Sequence, residues 1–218
     1  APHFARRFQE MLASTDTDVV LTADVITFSS NPGLDDGEDI WTPAFDTELL
    51  LDLDPVGVKI ILAFGRDDRK LFQKNIQYVA EIAEELRGTG VPLVVEPVLW
   101  GARIPEKFEI DSDLVANAQR MAWEYGADIL KAPYTGDKES FRAIVENAPV
   151  PIMILGGPAS GTTEAILTDV AESINAGARG VMIGRSIWKA DNPAAVISAL
   201  NKIVHEGETV DDAWEPAK

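Results

Sequence analysis

The chain has 218 residues, 46% of them hydrophobic, and sets 19 Lys and Arg against 36 Asp and Glu for a formal charge of -17. That length and apolar content suffice for one sizeable core, so residues 1–218 read as a single domain, while the acid excess repels nucleic acid and anionic membranes. The lack of Cys removes thiolate nucleophiles, disulfides and Cys-held metals, and two His, His3 and His205, leave no basis for a His-rich metal site or a Ser-His-Asp triad.

No apolar run approaches the roughly 20 residues of a membrane helix, and no charged-then-apolar leader opens the chain, so a soluble cytoplasmic protein is expected. A dispersed acid excess also suits a high-salt cytosol, which gives a halophilic reading.

Residues 2–13, with Phe4, Phe8, Met11 and Leu12 at helical spacing, predict an amphipathic helix, followed by a strand over residues 18–23. From Ser29 to Asp54 the pattern is lost. Asn31-Pro32-Gly33 and Asp35-Asp36-Gly37 are turn chemistry, and the nearby Glu38, Asp39, Asp46 and Glu48 argue for a long solvated loop. Leu49-Leu50-Leu51 fits either a short helix or a strand.

From residue 57 the alternation is regular. A strand over 57–64 leads into a helix of about twenty residues whose apolar face holds Leu71, Ile76, Val79, Ile82 and Leu86, and Gly88 and Gly90 end it. Strand 91–99 precedes a helix over 113–125. A strand carrying Lys131 precedes the helix 138–146, strand 150–155 precedes the helix 162–176, and strand 180–184 precedes the helix 193–205, with Trp214 packing as a tail. Consecutive βα units of this kind make a parallel sheet with right-handed crossovers. A (β/α)8 TIM barrel is the expected fold, with an irregular or incomplete amino-terminal part, since residues 1–56 show one clear strand. A doubly wound sheet is the structural alternative, but no Gly-x-Gly-x-x-Gly turn follows the first strand.

In such a barrel the carboxyl ends of the strands share one rim. Lys59, Glu96 and Lys131 all lie on apolar strands, where each charge costs several kcal/mol to desolvate unless paired. Two amines and one carboxylate make better sense as a coupled site. The chemistry that wants this set is Schiff-base catalysis: a neutral lysine attacks a ketone, and the iminium draws electrons out of the adjacent carbon–carbon bond. Lys131 is the candidate nucleophile, Glu96 the candidate mover of the hydroxyl proton, Lys59 an orienting cation and Tyr134 a spare general acid.

Gly156-Gly157 after one late strand and Gly184-Arg185 after the next occupy positions where barrels hold phosphate through backbone N–H groups and a guanidinium. A small-molecule phosphosugar is the expected partner, with no metal and no cofactor. The same strand ends also suit flavin mononucleotide phosphate, so a flavin barrel, or a non-catalytic sugar-phosphate binder, remains the alternative.

The stretch from Val91 onward resembles the archaeal-type class I fructose-bisphosphate aldolases and the related DhnA-like and DeoC/LacD-like Schiff-base aldolases. The resemblance rests on Val91-Pro92-Leu93-Val94-Val95-Glu96, Ala127-Asp128-Ile129-Leu130-Lys131 with Tyr134-Thr135-Gly136-Asp137, Pro151-Ile152 running to Gly156-Gly157-Pro158, and Gly180-Val181-Met182-Ile183-Gly184-Arg185-Ser186. It implies that Lys131 is the Schiff-base lysine, that Gly157, Gly184 and Arg185 hold a substrate phosphate, and that the protein is a homo-oligomeric lyase of carbohydrate metabolism or glycolysis. From Val58 to Glu96 the chain resembles the tagatose-bisphosphate and sulfofructose-phosphate aldolases, in which lysine and glutamate residues like Lys59 and Glu96 belong to the active site. The fructose-bisphosphate branch has a proton-donating tyrosine in a Trp-x-Tyr motif after the Glu96 strand. Here Trp100 is followed by Gly101-Ala102, so that tyrosine is missing.

Overall fold

The computed structural model describes residues 1–27, 40–65, 68–100, 103–156 and 161–214. Its centre is a parallel sheet of six strands in the order β1 (Val20–Thr22), β4 (Gly57–Phe64), β5 (Leu93–Leu99), β6 (Ile129–Ala132), β7 (Ile152–Leu155) and β8 (Gly180–Met182). A hairpin of β2 (Asp24–Thr27) and β3 (Ile40–Pro43) stands apart as a two-stranded antiparallel sheet. Crossover helices link β4 to β8 in turn: α4 (Arg69–Leu86), α5 (Ser112–Glu124), α6 (Lys138–Asn147) and α7 (Thr163–Asn175). This is a (β/α)8-type barrel wall with an irregular amino-terminal part. Among the described residues no strand joins β8 back to β1.

The helices begin where short polar side chains can take their first free N–H groups. Asp68 accepts from Lys70 at 2.8 Å, Asp111 from Leu114 at 3.1 Å, Asp137 from Ser140 at 2.8 Å and Thr162 from Ala165 at 3.2 Å. Asp46 does the same for Leu49 at 2.8 Å, so the leucine run forms the short helix α3 (Thr47–Leu51) rather than a strand.

Residues 2–13 do not make one helix. The backbone departs from helical geometry at Phe8, dividing the segment into α1 (Pro2–Arg7) and α2 (Gln9–Ala13). The segment from Ser29 to Asp54, read as one long solvated loop, contributes β3, which pairs with β2 just before it, and α3, while residues 28–39 lie outside the described ones. At the other end, Gly184 caps a short α8 (Arg185–Trp188). The last long helix is α9 (Pro193–Asn201), which runs on as a π-helical turn over Lys202–Glu206 to a left-handed Gly207, and α10 (Val210–Ala213) leads to Trp214, packed against the Leu167–Ile203 cluster.

The strands sort their side chains by pleat. Val58, Ile60 and Leu62 of β4, Leu93, Val95 and Leu99 of β5, and Leu130 and Ala132 of β6 are buried in the layer beneath the helices. Ile61, Ala63 and Val98 form a separate cluster on the opposite, inner face. Lys59, Glu96 and Lys131 fall in this inward phase. Ile61 pairs with Glu96, and Val94 with Ile129, so Glu96 stands level with Lys131; Lys59 pairs with Val94, one pleat lower.

At the irregular end β4 outruns β1, and its exposed edge is finished by side chains. The N–H of Ala23 donates to the Lys59 carbonyl at 3.0 Å, after which the chain veers into the hairpin. The Asp24 carboxylate then accepts from the Ile61 N–H at 2.8 Å, and also from Trp41 Nε1 at 2.8 Å and the Thr22 hydroxyl at 3.0 Å. Asn75 of α4 completes the edge, accepting from Ala63 N–H and donating to the Ile61 carbonyl, both at 2.7 Å. Buried backbone groups must be paired, and here two side chains do what a neighbouring strand does elsewhere.

Candidate active site

The inner face of β4, β5 and β6 brings three of the predicted residues together. Glu96, only 6% exposed, holds Lys59 Nζ on Oε2 at 2.5 Å and Lys131 Nζ on Oε1 at 2.9 Å. The lysine side chains are themselves mostly covered, at 20% and 17% exposure. Whether Lys59 reaches the others depended on pleat and register, and both favour it.

Burial pushes the Glu96 carboxyl upward, but the charges of Lys59 and Lys131 and their hydrogen bonds overcome it and hold the group below its ordinary value. For Lys131 burial is the largest influence and lowers the amine; Glu96 opposes that, the Lys59 charge reinforces it, and the outcome is an amine below its ordinary value. A lysine that gives up its proton more readily is what nucleophilic attack on a carbonyl needs.

Directly beyond this triad, toward the carboxyl ends of the strands, lies a cavity of about 430 Å³. Val98, Pro133 and Leu155, each two residues past Glu96, Lys131 and Met153, line its inner side. The ion pairs themselves lie one interior layer below the cavity rather than on its wall. Gly156 and Arg185 line its far end, and among the described residues no acid pairs with the Arg185 guanidinium.

Gly184 caps α8 beside them, and Gly157 lies outside the described residues. A Cβ on Gly156 would approach Ile183 Cγ2 to 2.9 Å, so packing between the β7 and β8 ends already demands glycine there, before any anion is considered.

Tyr134 is not brought into the triad. Its ring packs edge-on against Phe141, and its hydroxyl donates to Glu172 Oε2 of α7 at 2.5 Å. Burial first, then Glu172, Asp169 and Asp137, holds that hydroxyl above its ordinary range, so it is a poor proton mover. Glu96 is then the titratable group in direct contact with Lys131.

Sequence reasoning missed Asp24, Trp41 and Asn75, which fix the stretch of β4 bearing Lys59. It also missed Asp169, whose carboxyl borders the cavity and is raised by burial and by Glu172. Asp24 directly follows a predicted strand and Asn75 sits on the predicted apolar face of α4, but neither spacing says that a backbone edge needs capping.

Residues 4–190 match the model of the DeoC/LacD family aldolases. The chain belongs to that family. An uncharacterised aldolase of Saccharolobus solfataricus is 36% identical over 165 residues, covering 76% of this chain and 60% of its own length. A 2-amino-3,7-dideoxy-D-threo-hept-6-ulosonate synthase of Halobacterium salinarum is 34% identical over 61% of the chain and 48% of its own length. The chain thus spans 60% or less of the length of these curated relatives.

Among solved structures, an archaeal fructose-1,6-bisphosphate aldolase with its catalytic lysine bound to the carbinolamine intermediate of the substrate superposes with a TM-score of 0.78. It is 28% identical and aligns over 91% of this chain and 76% of that one.

Proposed function

We propose that this DeoC/LacD family member is a metal-independent class I aldolase that cleaves or forms a ketose phosphate through a Schiff base on Lys131. The observation that carries the reading is the Glu96 carboxylate held between two amines, 2.9 Å from Lys131 and 2.5 Å from Lys59. The structural relative whose lysine carries a carbinolamine supports the choice of covalent chemistry.

The protons can be followed from these contacts. Glu96 takes one proton from the Lys131 ammonium, and the neutral amine adds to the substrate ketone to give a carbinolamine. Glu96 returns its proton to the departing hydroxyl, water leaves, and an iminium forms. The carboxylate, ionised again, accepts the proton of the hydroxyl on the carbon beyond the bond to be broken. That carbon leaves as an aldehyde while the bonding pair collapses toward the iminium nitrogen as an enamine. Protonation of the enamine carbon and hydrolysis release the second product and restore the lysine. Lys59 keeps Glu96 ionised between steps and orients an oxygen of the substrate. Arg185, with Gly156 beside it, offers the local positive charge that a phosphate requires on a chain of charge -17.

Fructose 1,6-bisphosphate is the leading substrate. Because Lys59 and Glu96 also match the tagatose-bisphosphate and sulfofructose-phosphate branch, those ketoses are the alternative.

The test is borohydride reduction in the presence of each of these ketose phosphates. Mass analysis is expected to find the reduced adduct on the peptide containing Lys131, and to find none in Lys131→Ala. An unmodified Lys131 peptide with every phosphosugar tried overturns the proposal.

A further inference from the structure

Beside the charged residues, an uncharged pair shares the nucleophile's layer of the barrel interior. Register sets Glu96 level with Lys131, Lys131 level with Met153, and Met153 level with Gly180. Met153 is in the inward phase of β7: Leu155, one pleat further, lines the cavity, while Ile152 and Ile154 belong to the core beneath the helices.

Lys131 and Met153 are neighbours on hydrogen-bonded strands, yet their side chains part. Lys131 reaches toward β5, where Nζ meets Glu96 Oε1 at 2.9 Å. Met153 reaches the other way, over Gly180 of β8. A Cβ on Gly180 would lie 2.6 Å from Met153 Cε and 3.3 Å from its Sδ, so the thioether fills the volume that a side chain on β8 would take. Gly180 is buried, and its φ lies outside the left-handed region, so the backbone gives no reason for glycine there. The reason is the space.

That space bears on the reaction because the ion pairs lie one layer below the cavity. A ketone held against Arg185 has to bring its carbonyl carbon down beside Lys131 Nζ, to about 3–3.5 Å for attack. Of the side chains level with Lys131 on the flanking strands, Glu96 is pinned by its ion pairs, whereas Met153 is unbranched and turns readily.

We propose that Gly180 is a positioning residue: its missing side chain is a recess that holds the Met153 thioether away from Lys131 and keeps the approach to the amine open. This rests on the Schiff-base reading and deepens it. Both residues act through access to Nζ rather than on the bonds that change. The charged groups facing Lys131 are Glu96 from β5 and Lys59 from β4, while β7 and β8 set the uncharged Met153 and Gly180 at its level. A displaced Met153 therefore acts on the amine by covering it, which favours the neutral form.

The test is borohydride trapping with dihydroxyacetone phosphate, the ketone that cleavage of fructose 1,6-bisphosphate would leave on the lysine. Rate and pH profile are measured on the whole chain as wild type, Gly180→Ala, Gly180→Ala with Met153→Ala, and Met153→Phe, with a melting temperature for each. In Gly180→Ala the new methyl takes the recess and turns the thioether back toward Lys131. Trapping is expected to slow at least about tenfold, the scale of a small misplacement near reacting atoms. Its pH midpoint is expected to move down, because a covered amine gives up its proton more readily. A barrel merely loosened by the substitution would admit water and move the midpoint up. The double variant, with the thioether gone, is expected to recover most of the lost rate. Met153→Phe, whose ring is too large for the recess, should slow trapping with Gly180 intact, and it decides the question if Gly180→Ala fails to fold.

Wild-type trapping in Gly180→Ala or in Met153→Phe overturns this inference alone. So does a double variant as slow as Gly180→Ala, or a midpoint that stays or rises. Absence of trapping in the wild-type protein overturns the Schiff-base reading and this inference with it.

Discussion

At the scale of single residues, the two lysines differ in what their surroundings do to them. Lys131 lies on the strand whose next inner residue, Pro133, opens onto the cavity, and burial lowers its amine from the ordinary 10.5. Trapping at Lys131 is therefore expected to rise with pH through an apparent pKa below 10.5. Glu96 raises the Lys131 amine, so Glu96→Gln should move the trapping midpoint to lower pH. The same change removes the proton carrier, and turnover should fall by roughly 10²–10⁴.

Stability carries a matching signature. The Glu96 carboxyl is depressed below 4.5 in the fold, so its stabilisation is complete above that value and is lost as pH falls through the lower, folded pKa. Lys131 works in the other direction. The fold holds its ammonium at a penalty, and stability from this group rises between its folded pKa and 10.5. Urea unfolding of wild type and Glu96→Gln from pH 3 to 7 should show a shallower acid limb in the variant. It should also show a loss near neutrality on the order of 3 kcal/mol, the cost of leaving a buried ion pair without one partner. Parallel acid limbs would count against the coupling.

At the scale of elements, β4 is the piece on which the site depends, because it carries Lys59 and one of its edges lacks a full-length neighbour. Asn75 is fully buried and bonds both Ile61 O and Ala63 N at 2.7 Å. Asn75→Leu keeps the bulk but strands an N–H and a carbonyl in the interior, so a loss of about 2–4 kcal/mol is expected from the two unpaired groups. Asn75→Asp retains the acceptor for Ala63 alone and should fall between the variant and wild type. Thermal unfolding monitored by tryptophan fluorescence checks the order; a Leu variant as stable as wild type would show that water replaces the side chain at this edge.

The regular part of the fold was legible for the same physical reason that this edge was not. Between Gly57 and Met182, β4 and β5 are buried along almost their whole length, β6 and β7 alternate buried with half-buried residues, and each crossover helix carries an apolar stripe, and these patterns leave a trace in sequence. The triad was readable because Lys59, Glu96 and Lys131 interrupt those apolar strands. The hairpin, α3 and the Asp24 and Asn75 caps are contacts between segments far apart in the chain, Asp24 with Ile61 across 37 positions, and no local pattern records them. Tyr134 illustrates the same limit. Its position near the strand end suggested a general acid, but the direction of its hydroxyl is set by Glu172 on a helix 38 residues away.

At the scale of the whole molecule, the dominant quantity is the charge of -17. Its field is visible inside the fold. The Tyr78 hydroxyl, which donates to the carbonyls of Ala23 and Phe45, is pushed above its ordinary range by burial and then by Asp24, Glu85, Asp46 and Glu81 in turn. Those acids come from β2, the turn before α3 and α4, which meet at the irregular end of the barrel. Bringing them together is opposed by mutual repulsion, and the effect grows when little salt is present. The Debye length shrinks from about 10 Å at 0.1 M salt to about 3 Å at 1 M, which screens neighbouring surface carboxylates from one another. The melting temperature is therefore expected to rise as KCl increases from 0.1 to about 2 M, with most of the gain below about 1 M, where the screening length changes most. Potassium chloride separates this screening from the surface exclusion that sulfate would add. A second arm tests the location: Glu81→Gln with Glu85→Gln should raise the melting temperature at 0.1 M KCl and reduce the gain at high salt. A flat or falling salt profile in the wild-type protein would show that the acid excess is not what limits this fold, and would remove the physical basis of the halophilic reading.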